Sequence, residues 1–324
     1  MNNINKISLL EKLSHEMQQV IKQQEINTTI DNQRSDGSYA AMRTQYQKER
    51  EYWNQGGPVM DHTLAVDVPF ENTTISTKVY YPKHKEYASC LFYIHGGGFI
   101  VGNLDTHDRI MRIMAEESQC TVIGINYSLS PEAKFPQAIL ECIAATDYFR
   151  QHADQFKIDT SSIGYVGDSA GAHIAMATFL WLRDHRQDTS FIKALVLYYG
   201  LYGLKDSRSI RLYGNALDGL TEEDLQLYQE MYLQQPQDNQ SPYYCFFNND
   251  LTQQMPACFI ASSEFDPLLD DSETLYAILK DKNVDCEYKM YPGVLHGFLH
   301  YSKMMASSKR AITDGAHYFR AHIK

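Results

Sequence analysis

Gly167-Asp168-Ser169-Ala170-Gly171 has the form G-x-S-x-G. It follows an apolar run, 163–166, and precedes a helix-forming run, 172–182. A serine on so sharp a strand-to-helix turn projects its hydroxyl clear of both elements, and small neighbours let the backbone fold that tightly. The first turn of the helix then offers N–H groups to developing negative charge. Ser169 is therefore the candidate nucleophile. The same pattern also arises by chance as a plain glycine turn, and the flanking strand and helix set this one apart.

A second group, His95-Gly96-Gly97-Gly98, follows the apolar run 90–94. Consecutive glycines expose N–H groups that no side chain covers, and such donors can stabilise a tetrahedral oxyanion. A phosphate cradle would need Lys-Ser/Thr after the glycines or a G-x-G-x-x-G pattern, and neither is there. A serine hydroxyl also needs a base, and the base needs an orienting carboxylate. In the chain order serine, acid, histidine, Asp266 follows the run 257–261 and His296 follows 287–291. Both fall just beyond the C-terminal ends of strands, where open α/β sheets place their sites. The rivals of Asp266 are Glu264, Asp270 and Asp271, of which Asp270 is expected to cap the next helix. His300 and His173 are expected to be structural, and Gly297 favours His296 by giving its loop backbone room. No His/Cys/Asp set has metal-ligand spacing, so a metal enzyme is not expected.

Positioning these residues requires alternating strands and helices. Apolar runs at 90–94, 121–125, 163–166, 194–199, 257–261 and 287–291 read as strands. The stretches 105–118, 137–152, 170–184 and 272–281 read as the helices between them. That rhythm predicts βαβ units and a mostly parallel sheet covered on both faces. Two β-rich runs lie earlier, between residues 62 and 81. Residues 7–21 place Leu10, Leu13, Met17, Val20 and Ile21 at helical spacing, whereas 22–58 show little periodicity. The connection 199–256 is far longer than a crossover needs. It carries Thr221-Glu222-Glu223-Asp224, a capping-box-like helix start, and several tyrosines. The expected division is a catalytic α/β domain at 51–200 and 251–324, with a helical cap formed by 1–50 and 201–250.

With 324 residues, 44% of them hydrophobic and 21% charged, the chain can bury one large core. The formal net charge of −11 argues against nucleic acid as partner. No stretch has the length and apolarity of a membrane span, and the N-terminus lacks the features of a signal peptide. Cys90, Cys120, Cys142, Cys245, Cys258 and Cys286 lack paired spacing and read as free thiols in a reducing cytoplasm.

Together HGGGF (95–99), GDSAG (167–171), DPLLD (266–270) and HGF (296–298) resemble the hormone-sensitive-lipase family of esterases. YSLSPE (127–132) is similar to that family's Y-R-L-A-P-E segment, with Ser128 for Arg, Ser130 for Ala, and Asn126 where Asp is usual. Segments 96–112 and 241–251 are similar to the cytoplasmic acetyl esterases of enteric bacteria. The resemblance, over about residues 50–324, implies the α/β-hydrolase fold and a triad of Ser169, Asp266 and His296. It implies an oxyanion hole from the N–H groups of Gly97, Gly98 and Ala170, short-chain acyl esters, acetyl to about hexanoyl, as substrates, and no need of a metal or organic cofactor. It further implies binding to a maltose-regulon transcriptional activator and an α-galactosidase; a homodimer stays open as an assembly. An amidase, lactonase or deacetylase on the same scaffold is the alternative chemistry. A purely binding role is the non-enzymatic alternative, as in plant gibberellin receptors, which resemble the family but lack the histidine present here as His296.

Overall fold

A strand buried on both faces needs apolar residues throughout, whereas an edge strand can alternate. That difference orders the sheet. In the computed structural model, which describes residues 5–30, 37–86, 88–186, 188–214, 217 and 220–323, the strands are β1 (His62–Phe70), β2 (Thr73–Tyr81), β3 (Cys90–Ile94), β4 (Thr121–Asn126), β5 (Ile163–Asp168), β6 (Ile192–Tyr198), β7 (Ala257–Phe265) and β8 (Cys286–Leu295). They form one sheet in the order β1-β2-β4-β3-β5-β6-β7-β8. β3 and β5 are buried at every residue and lie in the middle, and the largely exposed β1 is an edge. Pairing is parallel from β4 to β8, while β1 and β2 form an antiparallel hairpin whose turn holds Glu71 at φ 48°. The expected mostly parallel sheet is present.

The helices are α1 (His15–Ile30), α2 (Tyr39–Asn54), α3 (Asp108–Ser118), α4 (Gln137–Gln151), α5 (Ala153–Phe156), α6 (Ala170–Arg186), α7 (Arg208–Leu212), α8 (Glu222–Tyr232), α9 (Leu269–Asp281) and α10 (Ala306–His322). Side chains alternate across each strand, so β3 sends Phe92 and Ile94 into one core and Leu91 and Tyr93 into the other. The first core holds residues of α4, α6 and α9, and the second holds residues of α1, α3 and α10. All six cysteines are free, five of them buried and Cys286 half-buried. No described helix is long and apolar enough to cross a membrane.

Two expectations need correction. The helix expected over 7–21 begins only at His15. Residues 6–14 are drawn off a helical path by tertiary bonds: the Lys6 ammonium donates to the carbonyls of Ile210 and Tyr213, Ile7 N–H to Leu212 O at 2.9 Å, and Ser14 N–H to Gly293 O at 2.9 Å. Leu9 therefore takes the buried place and Leu10 is left 49% exposed. The stretch 22–58, read as polar and only weakly periodic, holds the rest of α1 and all of α2. Ser38 caps α2 by accepting Ala41 N–H at 3.2 Å, yet only Trp53 of that helix is fully buried. Of the two segments expected to form a cap, residues 1–4, 31–36, 215–216 and 218–219 lie outside the described residues. The Thr221 capping box is formed as expected, with reciprocal bonds between Thr221 and Asp224 at the start of α8.

The long connection after β6 is pinned by Asp271, whose Oδ1 accepts the N–H groups of Tyr202 (2.6 Å), Gly203 (2.9 Å) and Leu204 (3.3 Å). Burial pushes the Asp271 carboxyl up to about 7, against the pull of those three donors. A folded-state pKa above the unfolded one means that the native state holds the proton longer. Its stabilising contribution is then full below the ordinary carboxyl range and is lost as pH rises through about 7. Asp271→Asn should flatten that loss. Between about pH 5 and pH 7.5 the urea midpoint of the wild type should fall further than that of the variant; equal losses would contradict the assignment.

Candidate active site

The turn joining β5 to α6 is sharp enough to force Ser169 into the left-handed region, φ 53°. Such strain persists only where the surroundings over-determine it. Here Ser169 N–H donates to Tyr198 O at 2.8 Å, and Ser169 O accepts His173 N–H at 3.1 Å. The flanking glycines are sterically required. A Cβ at Gly167 would lie 2.4 Å from the Gly171 carbonyl, and one at Gly171 would lie 2.0 Å from Ile94 O.

β7 ends immediately before Asp266, and β8 immediately before His296. Three distant segments thereby meet. Ser169 Oγ donates to His296 Nε2 at 2.8 Å, and His296 Nδ1–H donates to Asp266 Oδ2 at 2.7 Å. Asp266 is fully buried, and its Oδ1 accepts Leu268 N–H at 2.7 Å. This fixes the carboxylate, which fixes the imidazole tautomer, leaving the nitrogen lone pair toward the serine. The Tyr199 ring meets the imidazole edge-on, with centroids 4.9 Å apart. Gly297 has φ 73° with open space at its Cβ position, so the sign of φ, rather than crowding, is what calls for glycine after His296.

The rival residues are engaged elsewhere. Glu264 accepts Gly293 N–H at 2.7 Å. Asp270 does not cap α9, as its sequence position suggested: Leu268 stands at the cap, and the Asp270 carboxylate reaches across to Ser209 N–H at 2.8 Å, tethering the start of α7. His173 is buried, with its Nδ1 donating to Leu201 O at 2.9 Å, and burial pulls its pKa down to about 4. His300 is buried too, and its Nε2 lies 3.4 Å from the Tyr46 hydroxyl.

Gly97 and Gly98, at φ 123° and 57°, line a cavity of about 940 Å³ together with Ser169 and His296. Neither glycine can be replaced without movement, since a Cβ would meet Val101 O at 2.2 Å in the first case and the Tyr228 ring at 2.7 Å in the second. Ala170 is the first residue of α6, so its N–H has no carbonyl within the helix to bond. His95, by contrast, is a prop rather than a wall of the cavity. It is fully buried, its ring stacks on Tyr127, its Nδ1 donates to Gly96 O at 2.9 Å, and burial lowers its pKa to about 3.

Sequence reasoning missed what Asp168 does. Its Oδ1 accepts the Tyr93 hydroxyl at 2.7 Å and Gly96 N–H at 3.1 Å, and its Oδ2 lies 3.4 Å from His107 Nε2. Burial alone would raise this carboxyl, but the charge and hydrogen bonding of His107, with His300 and Tyr93, hold it well below the usual carboxylate range. The ligand-type atoms of His107, Asp168 and His300 lie within 4.8 Å of one another. The bonds of Asp168 to Tyr93 and Gly96 form a buried strut between the serine turn and the glycine loop, with the His107 and His300 rings packed beside it. The only signal for it in the sequence is the acidic residue inside G-x-S-x-G.

The family model described as alpha/beta hydrolase fold matches residues 91–300. A hyperthermophilic esterase from the archaeon Pyrobaculum calidifontis superposes with a TM-score of 0.88 at 28% identity, over 96% of this chain and 98% of that one. EstE1, a thermostable carboxylesterase cloned from a metagenomic library, gives 0.84 at 25% identity over 89% and 98%. An ester-hydrolase from the metagenome of Lake Arreo, in complex with a derivative of bipyridine phosphonate, gives 0.87 at 25% identity over 96% and 99%.

Proposed function

The chain belongs to the α/β-hydrolase fold family, and we propose that it is a serine carboxylesterase of the hormone-sensitive-lipase type, cleaving short acyl esters through an acyl-enzyme on Ser169. The observation that carries this reading is the continuous chain of hydrogen bonds Ser169–His296–Asp266, 2.8 and 2.7 Å long, opening onto a cavity walled by Gly97 and Gly98. Similarity to solved esterases and carboxylesterases at 25–28% identity supports the same reaction class.

In this mechanism Ser169 Oγ attacks the ester carbonyl as its proton passes to His296 Nε2. Asp266 stabilises the imidazolium that results and is not itself protonated. The tetrahedral oxyanion is held by the N–H groups of Gly97, Gly98 and Ala170. Collapse expels the alcohol, protonated by His296. Water activated by the same imidazole then releases the acid and restores Ser169.

Residues about 1–50 and 201–250 act as the cap in this reading, since α1, α2 and α8 contribute Met17, Met42 and Tyr228 to the cavity lining. The cavity has room for more than a small ester, so its walls rather than its total volume limit the acyl chain. Gln24, Gln45 and Arg50 make part of the lining polar. A methylene buried against apolar wall gains about 0.8 kcal/mol, and that gain disappears where the chain must displace hydration from polar groups. Across a series of 4-nitrophenyl esters, kcat/KM should peak from acetyl to about hexanoyl and fall steeply beyond. Robust hydrolysis of the palmitoyl ester would contradict the short-acyl limit, and no hydrolysis of any member would contradict the esterase reading.

A further inference from the structure

Helical spacing on α2 places Arg43, Tyr46 and Arg50 along one side of the helix, but the two arginines are treated differently. Arg43 is saturated: its guanidinium bonds both carboxylate oxygens of Glu132 (3.0 and 2.6 Å) and the carbonyls of Ile100 and Ser130 (both 2.9 Å). Arg50 lines the cavity that holds Ser169 and His296. Its guanidinium carbon lies 4.3 Å from the centre of the Tyr46 ring, and its Nε is buried without a hydrogen-bond partner. Among the described residues no carboxylate forms an ion pair with it. Glu49, next to it in sequence, also borders the cavity but is exposed, where water screens its charge. A half-buried guanidinium in the lining of the cavity that also holds Ser169, with no carboxylate paired to it among the described residues, is a costly arrangement unless an acceptor arrives. The protein as a whole carries a net charge of −11 and repels anions, so anion recognition at this site has to be local.

We propose that Arg50 is a specificity-determining residue that selects esters bearing an anionic group, such as a carboxylate, on the part of the substrate facing α2. The proposal rests on the esterase reading above. It deepens that reading from a short acyl ester to a short ester whose acyl or alcohol half carries a negative charge. The planar fork of arginine suits a carboxylate, which it can bind through two parallel hydrogen bonds.

The test compares charged and neutral esters of the same shape. Mono-4-nitrophenyl glutarate is paired with its methyl ester, placing the charge on the acyl half. 4-Acetoxybenzoate is paired with its methyl ester, placing it on the alcohol half. The readout is the anionic-to-neutral ratio of kcat/KM, which cancels any general effect of a substitution on the site. Arg50→Gln should lower this ratio by about tenfold or more in at least one pair, the scale of a lost charge-assisted bond, and Arg50→Lys should lower it less. A ratio within about twofold of wild type in both pairs would overturn the assignment. Should Arg50→Gln fail to fold, inhibition of the wild type decides. Glutaramate should inhibit 4-nitrophenyl acetate hydrolysis at least about tenfold more strongly than neutral glutaramide, and equal or weaker inhibition would overturn the proposal. Cleavage of neutral esters with an unchanged ratio removes only the role of Arg50, whereas a wild type that cleaves no ester removes the esterase reading and this proposal together.

Discussion

Ser169→Ala should leave the protein folded and lower ester hydrolysis by about 10⁴-fold or more, the scale of nucleophile loss in serine triads. The side chain removed is small, and its one hydrogen bond is to His296. The positive φ at position 169 is held by backbone bonds to Tyr198 and His173, which alanine keeps. The melting temperature should therefore move little while the rate collapses. What remains is the contribution of the oxyanion donors and of binding to attack by water. Purified variant and wild type, compared by thermal unfolding and by 4-nitrophenyl acetate hydrolysis, give both quantities. A variant retaining more than about a tenth of wild-type activity would show that another group attacks the ester.

Asp266→Asn should cost nearly as much for a subtler reason. The carboxylate accepts two hydrogen bonds, from His296 Nδ1 and from Leu268 N–H. Asparagine can keep the second, but its NH₂ then faces Nδ1 and favours the imidazole tautomer with the proton on Nε2. A ring in that state cannot take the proton of Ser169. The expected result is a fall in kcat of about 10⁴-fold with KM changed only a few-fold, because no wall of the cavity is altered. Glu264→Gln and Asp270→Asn, whose carboxylates bond Gly293 and Ser209 instead, should keep kcat within about tenfold of wild type. If Asp270→Asn were as damaging as Asp266→Asn, the choice of acid would be wrong.

The strands and the places of the candidate site residues were legible in the sequence for a common reason. β3 and β5 are buried on both faces, so their apolar runs are continuous and short. Ser169, Asp266 and His296 stand at the C-terminal ends of β5, β7 and β8, and the chain order serine, acid, histidine singled them out as candidates. Where tertiary contacts outweigh local preference, the reading failed. Leu10 fits the helical pattern but is exposed, because Lys6, Ile7 and Ser14 are bonded to distant segments. α2 escaped notice because it buries little apart from Trp53 and spends Arg43 and Arg50 on polar contacts and a cavity wall. The cluster of His107, Asp168 and His300 joins residues far apart in the chain, and periodicity carries no information about such a meeting.

The most direct test of the central claim is covalent. A 4-nitrophenyl alkylphosphonate mimics the tetrahedral intermediate and traps whichever group attacks. Incubated with the wild type, it should add one phosphonyl group to the protein by intact mass, abolish hydrolysis in proportion, and map by peptide fragmentation to Ser169, with no adduct on Ser169→Ala. A label on any other residue with activity lost in step, or full labelling of Ser169 with hydrolysis retained, would contradict the assignment of Ser169 as the nucleophile.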